Sequence, residues 1–165
     1  MLDRDQEIDF QEIHMPEFLA PKTLCLANGS EVYVMEGGGQ ELCRLDLVFE
    51  AGSKVQDKAL QASMCNAMLF EGTAQKKGEE IHESLDFYGA YTQLDINPDR
   101  PVVSLYTLNQ YFDKVLPIFI DALKNATFPE DEFKIILAQK QQGLIINSEK
   151  VEFKARNTFF KTLFE

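Results

Sequence analysis

The sequence predicts an α+β domain in which a mainly antiparallel β-sheet carries helices packed on one face. The first observation is the order of periodic segments: strand-like runs come first, two helical segments and two further strand-like runs follow, and helical spacing fills the rest. The second observation is turn chemistry between consecutive strand-like runs, at Asn28-Gly29 and across residues 97–101. Short connections of this kind join antiparallel neighbours.

The composition fits a folded domain with an acidic surface. A length of 165 residues and a hydrophobic content of 45% suffice for a packed core, so a disordered chain is excluded. The net charge of −11 would repel a phosphate backbone, which excludes nucleic acid as a partner and is compatible with a basic peptide or protein surface. No apolar run approaches the roughly 20 residues of a spanning helix, so no membrane segment is predicted.

The cysteines indicate a reducing compartment. The chain has three cysteines, Cys25, Cys43 and Cys65. An odd number without paired spacing argues against a disulfide framework. The acidic N-terminus has no apolar stretch of signal-peptide length. We therefore predict a cytoplasmic protein, although a leader removed from the given chain stays compatible with this sequence.

The chain divides into an arm and one domain. Residues 1–21 mix acids with scattered apolar residues, and Pro16 and Pro21 exclude a continuous helix there, so we predict an extended N-terminal arm. Residues 22–165 are predicted to form a single domain. Because an apolar helical run stops directly at the last residue, we expect a fragment that lacks closing strands and a second domain.

The first strands follow from alternation and turn residues. Strands are predicted at 23–26 and 31–35 with a hairpin turn between them, and 42–50 alternates apolar and polar residues as a half-buried strand does. The glycine triplet at 37–39 lacks the Lys-Ser/Thr of a phosphate-binding loop, so it is predicted to be a loop between strands.

The remaining elements follow from helical spacing and stop signals. Asn109 is predicted to cap a third helix, and Pro117 inside that helix is expected to kink or loosen it. The predicted elements are a helix from about 57 that closes at 71–73, a helix at 78–88, strands at 90–96 and 102–108, a helix from 109 to about 123, and helices at 130–147 and 151–164.

Four collinear stretches carry a resemblance to a known family. They read RLDLVFEAGS, MLFEGT, EEIHESLDFYGAYTQLDINPD and VSLYTLNQYFDKVLPIFIDALKNATFPEDEF. In this order they resemble the insulinase/pitrilysin zinc metallopeptidases, which include the mitochondrial processing peptidases. The likeness covers about residues 22–164, and it implies the N-terminal type of domain of that family.

The resemblance also implies where a zinc site would lie. Family members carry His-x-x-Glu-His directly before Met-Leu-Phe, and a second glutamate about 76 positions on completes the site. On this chain the two histidines fall on Ser63 and Ala67, the general base falls on Asn66, and the distant glutamate falls near Gly143. None of these side chains can bind zinc well or deprotonate water. The resemblance therefore implies an inactive homologue without metal, cofactor or catalytic residue.

Other residues could in principle supply chemistry. Glu79 and His82 are three apart on a helix and could share a metal, although a surface histidine beside solvated acids explains them as well. His14 in the arm is interpreted as a surface residue. Cys65, on the segment that would hold zinc, is predicted to be a buried small side chain rather than a nucleophile.

The predicted function is that of a bacterial, non-catalytic family member. The resemblance implies that such a chain pairs with a homologous zinc-bearing subunit or half, and that the pair encloses a chamber for peptide substrates. An extended peptide would add to a sheet edge, for which 42–50 and 90–96 are candidates. The alternatives are a structural assembly subunit without a proteolytic partner and a zinc peptidase with unconventional ligands. A homodimer is compatible with each.

Overall fold

The computed structural model describes residues 18–96 and 99–164. Contacts divide the chain into two compact units with the boundary between Gln40 and Glu41. Most of the predicted arm, with His14, lies outside the described residues. Residues 18–21 contain neither helix nor strand. The prediction of a single domain over 22–165 stays a prediction.

The described part of the first unit is a β-hairpin. Strand β1 (Lys22–Cys25) pairs antiparallel with β2 (Glu31–Val34). Gly29 has a φ of 84°, which glycine adopts without steric cost. The Asn28 side-chain oxygen accepts a hydrogen bond from the Ser30 amide at 3.0 Å. The predicted Asn-Gly turn is therefore confirmed.

The second unit contains a three-stranded antiparallel sheet. Its strands are β3 (Leu42–Val48), β4 (Tyr91–Asp95) and β5 (Val102–Leu108), in the order β3-β5-β4. Among the described strands of this sheet, β3 and β4 are the outer ones, and they are the two strands that the sequence marked as edge candidates. The predicted α+β arrangement is confirmed.

Five α-helices complete the described part of the second unit. Two lie between β3 and β4, and three follow β5. Over the described residues, none of these helices is both long and apolar enough to cross a lipid bilayer. They are α1 (Gln61–Ala67), α2 (Gly78–Asp86), α3 (Phe112–Lys124), α4 (Glu130–Glu149) and α5 (Val151–Phe164), with short 3-10 turns at Ser53–Val55 and Asn109–Tyr111.

Two predicted helix starts are wrong. The first helix begins at Gln61 rather than near Asp57, because Leu60 has a left-handed backbone with a φ of 67° that a helix cannot contain. Asn109 does not cap α3, since it opens a 3-10 turn and the helix begins only at Phe112. Helix α3 continues through Pro117 to its last residue.

The core lies between the sheet and helices α2 and α3. Alternate strand residues, including Leu45 on β3 and Leu105 on β5, face this core. Ile81 and Leu85 bring α2 against it. The other fully buried side chains include Phe70, Val103, Val115, Phe119 and Ala122.

The opposite face of the sheet is polar and aromatic. Arg44, Tyr106 and Tyr91 form one row across the three strands. The two tyrosine rings stack with centroids 4.6 Å apart, and the Arg44 guanidinium lies 5.1 Å from the Tyr106 ring centroid. Arg44 Nε also donates to Asp46 at 2.8 Å. Burial alone would raise the pKa of Asp46, but the hydrogen bond and charge of Arg44 lower it.

The start of α2 is held by close backbone contact. The Glu80 carboxylate accepts a hydrogen bond from the Lys77 amide at 2.8 Å. A Cβ atom at Gly78 would lie 2.9 Å from Glu71 Cα. Only glycine fits at this position without moving the loop that joins α1 and α2.

Helices α4 and α5 lie outside the fully buried core. Neither has a fully buried residue. Leu144 and Ile145 on α4 and Phe159 on α5 are exposed large apolar side chains. Helix α4 contacts α1 and α5, so it joins the segment that carries the candidate site to the C-terminal helix.

Candidate functional site

Helix α1 presents the first two positions of the implied zinc motif. Met64 is buried in the helix, and Met68 is buried just after it, which fixes the rotation of α1. Ser63 and Ala67 are one turn apart and share another face of the helix, where both are half-buried. The spacing that the resemblance requires of two zinc ligands is therefore present, without the ligand atoms.

A lysine from α4 reaches the first of these positions. Lys140 Nζ donates a hydrogen bond to Ser63 Oγ at 2.8 Å, and Lys140 is half-buried. Gly143 lies three residues further along α4, on the same side of the helix as Lys140. A Cβ atom at Gly143 would meet nothing within 4 Å. The site thus holds an ammonium group beside open space.

The implied general-base position carries a hydrogen-bond donor. Asn66 is 6% exposed, and its Nδ2 donates to the Asp95 carbonyl at 3.4 Å. Asp95 is the last residue of β4. The Asn66 amide therefore links α1 to an outer strand of the sheet. It cannot accept a proton near neutral pH as a carboxylate would.

The residues at these positions do not fit zinc. The Ser63 hydroxyl is bonded to an ammonium group, Ala67 and Gly143 have no donor atoms, and Asn66 is an amide. The positive charge of Lys140 would oppose a divalent cation. Within residues 18–96 and 99–164, no three His, Cys, Asp or Glu side chains lie together in a way that could hold a metal ion. No hydrolytic step through a metal follows from this arrangement.

The other candidate residues lie apart from this site. Glu79 and His82 are both exposed on α2. The prediction that Cys65 is buried is wrong, since Cys65 is exposed. Helix α1 turns Met64 into the core and leaves Cys65 on the wall of a cavity. Cys43 is half-buried on β3, and burial raises the pKa of its thiol.

A largely apolar cavity of about 540 Å³ adjoins α1. Its walls come from the end of β3, from β5, from α1 and from α3. Asn66 lines both this cavity and the candidate site, and Lys124 is the one charged residue among the described lining residues. A volume of this size suits an apolar group of a small molecule or peptide. The apolar lining residues include Leu47, Phe49, Leu69, Val103, Ile120 and Leu123.

Sequence reasoning missed the most specific contacts of the site. Lys140 was not singled out, although it lies three residues before Gly143 and is the only charged residue of α4 between Lys134 and Glu149. That isolated charge was the signal that could have indicated it. The bond from Asn66 to Asp95 has no signal in the sequence, because it depends on how α1 meets the end of β4.

Comparison with known proteins decides the family. Residues 32–161 match the family model described as insulinase, peptidase family M16. The chain belongs to this family. The resemblance that the sequence carries is therefore confirmed for most of the chain, while the assignment of individual residues to lost zinc positions stays a prediction.

Two solved structures of longer proteins share the fold of this M16 chain. The peptidase M16 inactive domain from Pseudomonas fluorescens is 28% identical with a TM-score of 0.80, over 87% of this chain and 35% of that one. A protease from Helicobacter pylori is 20% identical with a TM-score of 0.67, over 76% of this chain and 32% of that one. The chain thus spans about a third of each neighbour. A search of curated proteins gave no match.

Proposed function

We propose that this chain is a non-catalytic M16 member of the bacterial cytoplasm, pairing with a homologous zinc-bearing subunit or half to enclose a peptide-processing chamber. The observation that carries the proposal is the hydrogen bond from Lys140 to Ser63 at 2.8 Å. It puts an ammonium group where the resemblance expects a metal ligand. The M16 neighbour described as an inactive domain supports the same reading.

In this proposal the chain contributes a wall and a peptide-binding edge. A chamber must be closed on both sides to exclude water from a bound peptide, whereas one zinc site suffices for cleavage. Strand β4 pairs with β5 alone among the described strands. Its other edge can therefore add an extended peptide through main-chain hydrogen bonds. We favour β4 over β3 because Asn66 links the end of β4 to the candidate site.

The net charge of the chain indicates which peptides such a chamber would attract. With 27 acidic and 16 basic residues, the chain attracts basic peptides and basic partner surfaces. Association with such a partner should weaken as ionic strength rises, because screening shortens the range of these forces.

The test is reconstitution with a defined partner. We would co-express the chain with a homologue from the same genome that has an intact His-x-x-Glu-His motif, and purify the complex. Peptide hydrolysis would be measured for each protein alone, for the complex, and for a complex in which glutamine replaces the motif glutamate. We expect no cleavage by this chain alone, more by the complex than by the partner alone, and none with the glutamine variant.

Each other result contradicts part of the proposal. Cleavage by this chain alone, with stoichiometric zinc that survives dialysis, would indicate unconventional ligands. A stable complex without any gain in hydrolysis would indicate a structural assembly subunit. A chain that forms only homodimers in the presence of the homologue would exclude the pairing.

A further inference from the structure

The segments that carry Ser63 and Lys140 contain no acidic residue close to either one in sequence. Helix α1 contains no charged residue, and the chain carries none between Lys58 and Glu71. On α4, Lys140 is the only charged residue between Lys134 and Glu149. This is unusual in a chain with a net charge of −11.

Lys140 differs from the paired lysines of the molecule. Lys22 and Lys134 form ion pairs with Glu36 and Glu130 at 3.0 and 2.8 Å, and both lysines are largely exposed. Within the described ranges, Lys140 takes part in no ion pair, and its hydrogen-bond partner is a neutral hydroxyl. A half-buried cation with a neutral partner retains most of its attraction for an anion.

The pair also offers donors next to open space. An ammonium group has three N–H donors, and Ser63 accepts only one of them. The Ser63 hydroxyl can in turn donate its own proton. Ala67 and Gly143, one turn along their helices, contribute almost no side chain, and the space at Gly143 is open. Donors for which the described residues supply no acceptor, beside open space at Gly143, suit an oxygen anion.

We propose that Ser63 and Lys140 form a carboxylate-binding site at the place where the resemblance expects zinc. The ammonium group would form a charge-assisted hydrogen bond to the ligand, and Ser63 would hold the ammonium in position and donate a second hydrogen bond. The ligand is a carboxylate, from a peptide C-terminus or from an acidic side chain. The peptide nature of the ligand rests on the proposed function, whereas the carboxylate chemistry rests on the geometry alone.

The test compares three tetrapeptides on the 165-residue chain. They are N-acetyl-Gly-Ala-Leu-Ala with a free carboxylate, the same peptide as its C-terminal amide, and the amide with glutamate in place of the first alanine. Binding would be measured by calorimetry or, if weak, by chemical-shift titration. The free acid should bind about tenfold more tightly than the plain amide, the range of one charge-assisted hydrogen bond.

The third peptide identifies the source of the carboxylate. If it binds like the plain amide, the site takes a C-terminus, and if it binds like the free acid, the site also takes acidic side chains. Either result supports the site. Equal binding of all three peptides, or no binding, overturns it. This comparison uses the unmodified chain, so it tests the carboxylate site even if a variant fails to fold.

Variants then assign the effect to the two residues. Lys140→Met should abolish the preference for the acid, and Ser63→Ala should reduce it. Lys154→Met is the matched control, since Lys154 is exposed on α5 and the substitution removes the same charge. An equal loss in the Lys154 variant would show a general charge effect and overturn the assignment. A Lys140→Met chain that still raises hydrolysis by the zinc-bearing partner would leave the proposed pairing intact, so the two proposals fail separately.

Discussion

The core beneath the sheet and the contact between α1 and α4 differ in how deeply their side chains are buried. Helix α3 places Val115, Phe119 and Ala122 in the core with full burial. Helix α4 is longer, with 20 residues, and none of them is fully buried. Its hydrogen bond to α1 comes from Lys140 to Ser63, two half-buried side chains. The core is thus fully buried and apolar, whereas the candidate site is half-buried and contains a polar contact.

This difference allows residues at the candidate site to change without loss of the fold. The positions that the resemblance assigns to zinc lie on surfaces that the core does not use. Changes there alter binding chemistry while the packed interior keeps the fold. Substitutions at the candidate site should therefore affect mainly binding, and substitutions in the core should affect mainly stability.

The largest effect is expected from restoring a zinc site. Ser63→His, Asn66→Glu, Ala67→His and Gly143→Glu together should raise zinc affinity, and adding Lys140→Met should raise it about tenfold further, because a positive charge within a few ångström opposes a divalent ion. Affinity would be measured by competition with a chromogenic chelator after dialysis. A variant that stays free of metal with and without Lys140 would show that the assigned register is wrong.

The largest effect on stability is expected in the core. Phe119→Ala should lower the free energy of unfolding by about 3–5 kcal/mol, since Phe119 is fully buried and packs on Phe70 with ring centroids 5.6 Å apart. The control is Ile145→Ala on α4, where the side chain is 56% exposed and the loss should stay below about 0.5 kcal/mol. Urea unfolding measures both. Equal losses would remove the distinction between the regions.

An intermediate effect is expected at Asn66, which is buried within the site. Asn66→Asp keeps the shape of the side chain but sets a carboxylate against the Asp95 carbonyl in place of an N–H donor. The free energy of unfolding should fall by about 1–3 kcal/mol. Gln142→Glu makes the same change of an amide to a carboxylate at an exposed position of α4 and should have little effect. Indistinguishable urea midpoints for the two variants would contradict the buried bond.

The smallest effect is expected on the polar face of the sheet. The pKa of Asp46 is lowered from its usual 3.8. The contribution of this carboxylate to folding stability is therefore present above pH 3.8 and is lost as the pH falls through the lower pKa of the folded state. Asp46→Asn should therefore cost stability at pH 7 and cost less at pH 3. Because the Asp46 side chain is 38% exposed, the difference should be about 0.5 kcal/mol or less. A cost that grows as the pH falls would contradict the assigned pairing with Arg44.

Most elements of the fold could be predicted because their signals are local. The Asn28-Gly29 turn and the alternation in β3 depend on neighbours in sequence, and the structure has both. The errors arose where local signals compete. Leu60 fits the apolar spacing of a helix but has a left-handed backbone, and Asn109 is a good cap residue that opens a 3-10 turn instead.

The candidate site could be predicted only in part. The positions Ser63, Asn66, Ala67 and Gly143 follow from resemblance and spacing along the chain. The bond from Lys140 to Ser63 joins residues 77 apart in sequence, and no local pattern specifies such a contact. The exposure of Cys65 was missed for a related reason, because it depends on which face of a seven-residue helix meets the core.

Gly78 has a consequence for the history of chains like this one. Zinc-ligand positions are constrained by the hydrolytic reaction, so a protein without that reaction can carry other residues there. At Gly78 the constraint is steric, since any Cβ would lie 2.9 Å from Glu71 Cα with or without hydrolytic activity. We therefore expect this glycine in relatives with and without the zinc motif. An alignment in which it varied while the loop kept its length would indicate a rearranged junction between α1 and α2.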